Sequence, residues 1–155
     1  MMKRLFMLTA FLFLAACSSQ NLSYEDLKAA YPDTFAEPVQ ELSEEQLGNL
    51  GLPSDMPFEV TQVSSSTGES EAEVTYTSDS GHKAIVTTLY SPGNILQDSE
   101  LQVPLDSGAL AGVQEKDTHV FVEWYEGEED IIYQVEYYGP DEERAEKAVE
   151  IANQL

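Results

Sequence analysis

The side chains able to do chemistry are few in kind and gathered toward the C-terminal half. His82 and His119 both have acids nearby, a donor set that suits zinc, but their spacing follows no metal-binding motif. Glu126, Glu128, Glu129 and Asp130 crowd one short stretch and could offer oxygens to calcium. A calcium loop needs ligands at alternating positions closed by a bidentate carboxylate, and without that order the stretch reads as a solvated charge run. Trp124, Tyr125, Tyr133, Tyr137 and Tyr138 lie close enough in sequence to line a ligand or glycan groove. Core packing and cross-strand pairing are the commoner use of such residues. Carboxylate pairs for hydrolysis cannot be singled out in a chain with 29 acids. There is no G-x-S-x-G elbow and no Gly-rich phosphate loop. The one cysteine, Cys17, excludes an internal disulfide and a cysteine zinc cage. The expectation is therefore a non-enzyme with no catalytic residue, no metal ligand and no cofactor.

The rest of the composition narrows the partners. The chain has 155 residues, 7 basic and 29 acidic side chains, and a net charge of −22. A nucleic-acid partner is excluded as an expectation, because a phosphate backbone requires clustered Lys and Arg. The hydrophobic fraction of 42% is ordinary and can fill the core of one domain. Acid spread along the chain keeps a protein soluble in saline or alkaline surroundings, and it is equally compatible with a merely acidic protein.

Met1-Met2-Lys3-Arg4 is a basic start, followed by an apolar run of 12 residues from Leu5 to Ala16 interrupted only by Thr9. A membrane-spanning helix needs about 20, so the run reads as a signal-peptide core. It closes on Leu14-Ala15-Ala16-Cys17, with Ser18-Ser19-Gln20-Asn21 as a polar spacer. This segment resembles the lipobox of bacterial lipoprotein precursors. The resemblance implies cleavage before Cys17 and a diacylglycerol on its thiol, often with acylation of the freed amine. Loss of the first 16 residues, two of them basic, would leave 139 residues with 5 bases against 29 acids, a charge of −24. Such a chain has no basic patch to supplement its anchor, so two or more acyl chains must hold it to the membrane.

The elements that follow are readable by period. A helix is expected over Ser23–Tyr31, capped by Ser23 and stopped by Pro32. A second is expected over Glu44–Leu47, with Ser43 and Gln46 as a capping box. A weak strand over Phe58–Val63 precedes a Ser/Thr/Gly loop from Ser64 to Ser70. Strands over Glu71–Thr77 and Lys83–Tyr90 should pair across Asp79-Ser80-Gly81. The stretch Ile95–Lys116 holds one or two short strands around Leu101–Val103 and Ala109–Val113. Thr118–Tyr125 and Ile131–Tyr138 make the clearest hairpin. After Gly139-Pro140 comes a last helix with an apolar stripe of Ala145, Ala148, Val149 and Ala152 and a Glu143–Lys147 pair.

Val122-Glu123-Trp124-Tyr125, Ile132-Tyr133-Gln134-Val135 and Glu146-Lys147-Ala148-Val149-Glu150-Ile151-Ala152 together resemble a domain of unknown function from extracytoplasmic proteins of Gram-positive bacteria. Leu52-Pro53 and Met56-Pro57-Phe58 suit that family's entry into its first strand. The resemblance covers residues 52–155 and implies a fold and a location, but no catalytic residue.

The sequence thus predicts a signal peptide over residues 1–16, a lipidated tether over 17–22, a helical N-terminal segment over 23–51 and an α+β domain over 52–155. In that domain a small antiparallel sheet of about five or six strands carries the C-terminal helix on one face. The expected function is a non-catalytic binding or interaction module on the extracytoplasmic face of the cell membrane, anchored through acyl chains on Cys17, with an envelope protein or glycan as partner. The alternative is a lipid-handling or hydrolytic envelope protein, marked by a large apolar pocket or convergent carboxylates.

Overall fold

Ala72, Val74 and Tyr76 alternate with polar neighbours, Ala84, Val86 and Thr88 hold alternate positions of the next strand, and in the folded chain all six are buried on one face of a sheet. A computed structural model describes residues 20–155; the signal peptide, the lipobox Leu14-Ala15-Ala16 and Cys17 lie outside them. The sheet has seven strands: β1 (Gln62–Thr67), β2 (Glu71–Thr77), β3 (Lys83–Tyr90), β4 (Leu101–Pro104), β5 (Leu110–Glu115), β6 (Val120–Glu126) and β7 (Ile131–Tyr138). All neighbours are antiparallel and the spatial order is β1-β2-β3-β7-β6-β5-β4. The architecture is α+β, as expected, with a larger sheet than the five or six strands predicted.

Both readable hairpins form, and the uncertain stretch supplies β4 and β5. The extra strand is β1, at the place read as a Ser/Thr/Gly loop, while Phe58–Val63 is mostly not strand. β1 buries only Val63 fully. Its other inward positions, Ser65 and Thr67, donate their hydroxyls to the carbonyls of Phe35 and Pro38, and Thr34 donates to the carbonyl of Val63. Hydroxyls that bond to a neighbouring segment's main chain look like loop composition in sequence, yet here they fasten an edge strand.

That neighbouring segment is helical. α1 (Tyr24–Ala30) is capped by Ser23, whose hydroxyl accepts the N–H of Asp26. α1 ends at Ala30 and Tyr31 is outside helical geometry (φ −130°, ψ 61°), so the helix stops before Pro32 as expected. Pro32 then opens a new, wide turn over Pro32–Ala36, where its missing N–H costs nothing, and that turn runs into α2 (Glu37–Val39). α3 (Glu44–Gly48) carries the predicted capping box, with both Ser43–Gln46 bonds present. Leu27, Phe35, Val39, Leu42, Leu50 and Met56 join the core of the sheet domain over β1–β3, while α4 (Arg144–Ala152) covers β6 and β7 on the same face.

The stripe of α4 is rotated from the predicted one. Ile151 is wholly buried with Ala148 and Ala152, whereas Ala145 and Val149 are only half-buried. Lys147 pairs with Glu150 at 3.0 Å and not with Glu143. Spacing alone admits either stripe; the position of the sheet selects the one that brings the larger Ile151 inward.

The opposite face is partly roofed by the connection from β3 to β4, residues 91–100. It crosses β7, β6 and β5 to reach the far edge. Its Gln97 N–H donates to the Glu123 carboxylate, and its Ser99 lies so close to Gly112 that a Cβ there would come within 2.6 Å of the Ser99 hydroxyl. Phe121, Glu123 and Ile132 are buried on this second face.

Candidate functional site

β6 and β7 set the aromatic residues by simple alternation, and this divides the expected cluster. Trp124, Tyr133 and Tyr137 point to the helix-covered face; Tyr125 and Tyr138 point to the other. On the covered face Trp124 and Tyr133 are cross-strand partners, their rings 5.6 Å apart and tilted by 35°. They stand at the end of the sheet where α3 and the C-terminus of α4 converge, in a hollow of about 280 Å³ whose rim includes Asn49, Glu126, Glu129 and Asn153. Tyr133 donates its hydroxyl to the carbonyl of Asn49 at 2.9 Å, and the Trp124 indole N–H donates to Glu126 at 3.1 Å. A second hollow of about 240 Å³ shares Asn49 and Glu129 and adds Tyr90 and Gln46. Burial, with the charges of Glu126 and Glu129 adding to it, pushes the Tyr133 phenol up to about 12. The local field is therefore negative, and it favours neutral polyols or cationic groups over anions.

The remaining candidates are scattered. His82 and His119 lie on opposite faces of the sheet. His82 Nδ1 is 2.9 Å from the Tyr137 hydroxyl, and its ring stacks on Phe58. His119 stacks on Tyr138 at 4.7 Å and sits 3.6 Å from the Glu136 carboxylate. Among the described residues no group of three or more His, Cys, Asp or Glu is placed to hold a metal ion. The acidic turn is put to structural use: Asp130 accepts the Tyr125 hydroxyl and the Gly93 N–H, both at 3.0 Å, and holds a left-handed backbone with φ 52°.

A larger hollow of about 520 Å³ opens between Glu100, Leu101, Val113 and Glu115 beside the β4 edge. Charged residues dominate its rim, and Leu101 is half exposed. Sequence reasoning named Trp124 and Tyr133 as groove candidates while favouring core packing, and read Glu126 and Glu129 as a solvated charge run. It missed Asn49, Asn153 and Ser107, which come from three separate segments and carry no shared spacing. No helix among the described residues is long and apolar enough to cross a membrane. No protein-family model, curated protein or solved structure matches the chain.

Proposed function

We propose that this chain is a non-catalytic interaction module held on the extracytoplasmic face of a bacterial cell membrane by acyl chains on Cys17. The observation that carries the reading is Leu14-Ala15-Ala16-Cys17 at the end of a signal-like apolar run, with packed structure beginning at Leu22, only five residues after the cysteine. Three carboxylates of the β6–β7 hairpin are engaged in holding the fold: Glu123 by Gln97 and Gln134, Asp130 by Tyr125 and Gly93, Glu126 by Trp124. The 520 Å³ and 280 Å³ hollows mix apolar with charged and polar lining, which offers a protein or glycan both stacking and hydrogen-bonding groups. The Trp124–Tyr133 hollow is the proposed contact point, and an envelope glycan or protein is the proposed partner.

Two measurements test the reading. Cys17→Ser should leave an uncleaved precursor or release the protein from the membrane fraction, and an intact mass showing unacylated Cys17 in the wild type would remove the anchor. Trp124 is the only tryptophan, so soluble cell-wall glycan fragments titrated against its fluorescence report directly on the hollow. A saturable change abolished by Tyr133→Ala supports a glycan partner; a flat titration turns the reading toward a protein.

A further inference from the structure

Gln20 is fastened to the folded body at two points. Its side-chain amide donates to the Phe58 carbonyl at 2.8 Å, and its side-chain oxygen accepts the Val60 N–H at 2.6 Å. This bracket sits at one end of the sheet. Thr61, the next residue but two after Phe58, bonds to Thr77 at the end of β2 and to Asp79 in the β2–β3 turn. Phe58 itself stacks on His82 before β3 and on Tyr137 at the end of β7. Three peptide steps separate Gln20 from Cys17, which at full extension span about 10 Å.

We propose that this short link stands the domain on end at the bilayer, with the β2–β3 turn, the β5–β6 turn and the start of α4 against the phospholipid headgroups and the Trp124 hollow facing away. The inference rests on the acylation of Cys17 proposed above and adds an orientation to it. β2, β3, β6 and β7 are seven or eight residues long, so the far end of the sheet stands about 25 Å higher than the near end. A link of about 10 Å cannot carry a body of that height onto its opposite end. Gln20, and with it the bracketed end, is held within about 10 Å of Cys17.

The basic side chains gather at the near end, but acids accompany them there. Residues 20–155 carry five basic side chains, Lys28, Lys83, Lys116, Arg144 and Lys147. Lys83 at the start of β3, Lys116 in the β5–β6 turn and Arg144 at the start of α4 all belong to the near end. The loops at the far end, residues 68–70, 91–94, 105–109 and 127–130, contain no Lys or Arg, and all but 91–94 contain acids. Glu59, Asp79, Glu115, Asp117, Asp141, Glu142 and Glu143 share the near end, so both ends are net negative, neither is drawn to an anionic leaflet, and the acyl chains do the holding. The orientation is therefore set by the length of the link and not by charge.

The test uses the full, acylated chain in vesicles of phosphatidylcholine and phosphatidylglycerol with an energy-transfer acceptor on a fraction of the headgroups. Ser80→Cys in the β2–β3 turn and Glu128→Cys in the β6–β7 turn are both exposed and take a thiol donor dye. Transfer should be strong from position 80 and several-fold weaker from position 128. Ten Gly/Ser residues inserted between Ser19 and Gln20 should bring the two values together. Equal or reversed transfer from vesicle-bound protein overturns the orientation and leaves the anchor intact. A difference that survives the insertion overturns the link as its cause. An intact mass showing unacylated Cys17 overturns anchor and orientation together.

Discussion

Glu123 reaches up from β6 into the crossing connection and accepts the backbone N–H of Gln97, while its other oxygen takes the Gln134 side-chain amide at 3.2 Å. The carboxylate is 2% exposed, so these two donors replace the water it gives up on folding. Glu123→Ala should strand the Gln97 N–H and cost about 1–3 kcal/mol. Glu123→Gln keeps an acceptor and should cost less. Limited proteolysis checks the location of the effect, since cleavage within residues 91–100 should accelerate for the alanine variant before any other site does.

The rotated stripe of α4 makes its own prediction. Ile151→Ala removes a wholly buried side chain and should destabilise by about 2–5 kcal/mol. Val149→Ala, at a half-buried position, should cost less, and Glu146→Gln on the exposed side should stay within about 0.5 kcal/mol. Urea denaturation followed by Trp124 fluorescence ranks the three. Equal costs at 151 and 149 would restore the stripe read from the sequence.

Two glycines three residues apart should respond in opposite directions. A Cβ on Gly51 would sit 3.1 Å from Thr88 Oγ1, Tyr133 Cδ1 and Val86 Cγ1, all on the core face, and the Gly51 N–H already bonds to Thr88. Gly51→Ala should therefore cost about 1–3 kcal/mol through overpacking. Gly48 closes α3 with nothing within 4 Å, and Gly48→Ala should gain up to about 1 kcal/mol of helix propensity. Paired melting curves decide it.

The tyrosines set an alkaline limit. Burial pushes the phenols of Tyr76 and Tyr90 up, and Tyr133 is pushed up to about 12. In the unfolded chain these groups lose their protons near pH 10. Above that pH the native state holds protons the unfolded state has released, so stability falls as pH rises from about 10 through 12. Below pH 10 this contribution is fully present. Denaturation midpoints taken across that window, with phenolate absorbance, should show the decline. Tyr76 offers a sharper check, because its buried hydroxyl has no hydrogen-bond partner among the described residues. Tyr76→Phe should leave stability at neutral pH unchanged or slightly raised, and should make the alkaline decline shallower.

What could be read from the residues follows the reach of the interactions. The Ser43–Gln46 box and the two hairpins depend on contacts a few residues apart, and their composition declares them. β1 was hidden because its inward Ser65 and Thr67 match carbonyls of Phe35 and Pro38, about 30 residues away in sequence. The candidate hollow was half legible for the same reason. Trp124 and Tyr133 face each other by hairpin register, whereas Asn49 arrives through a bond to Tyr133 that spans 84 residues.

The strand order has a consequence for how the molecule comes into being. β7 lies at the centre of the sheet, joined to β3 on one side and β6 on the other, yet it is the last strand to be synthesised. Until residues 131–138 exist, β1–β3 and β4–β6 are two separate fragments, each with an edge lacking its partner. An edge of that kind is a template for aggregation, and pairing such as Lys83 with Tyr138 must wait on a long loop closing. A nascent chain therefore spends almost its whole synthesis as unfinished sheet, and a stop codon placed before the last strand yields an unfolded product, never a smaller domain.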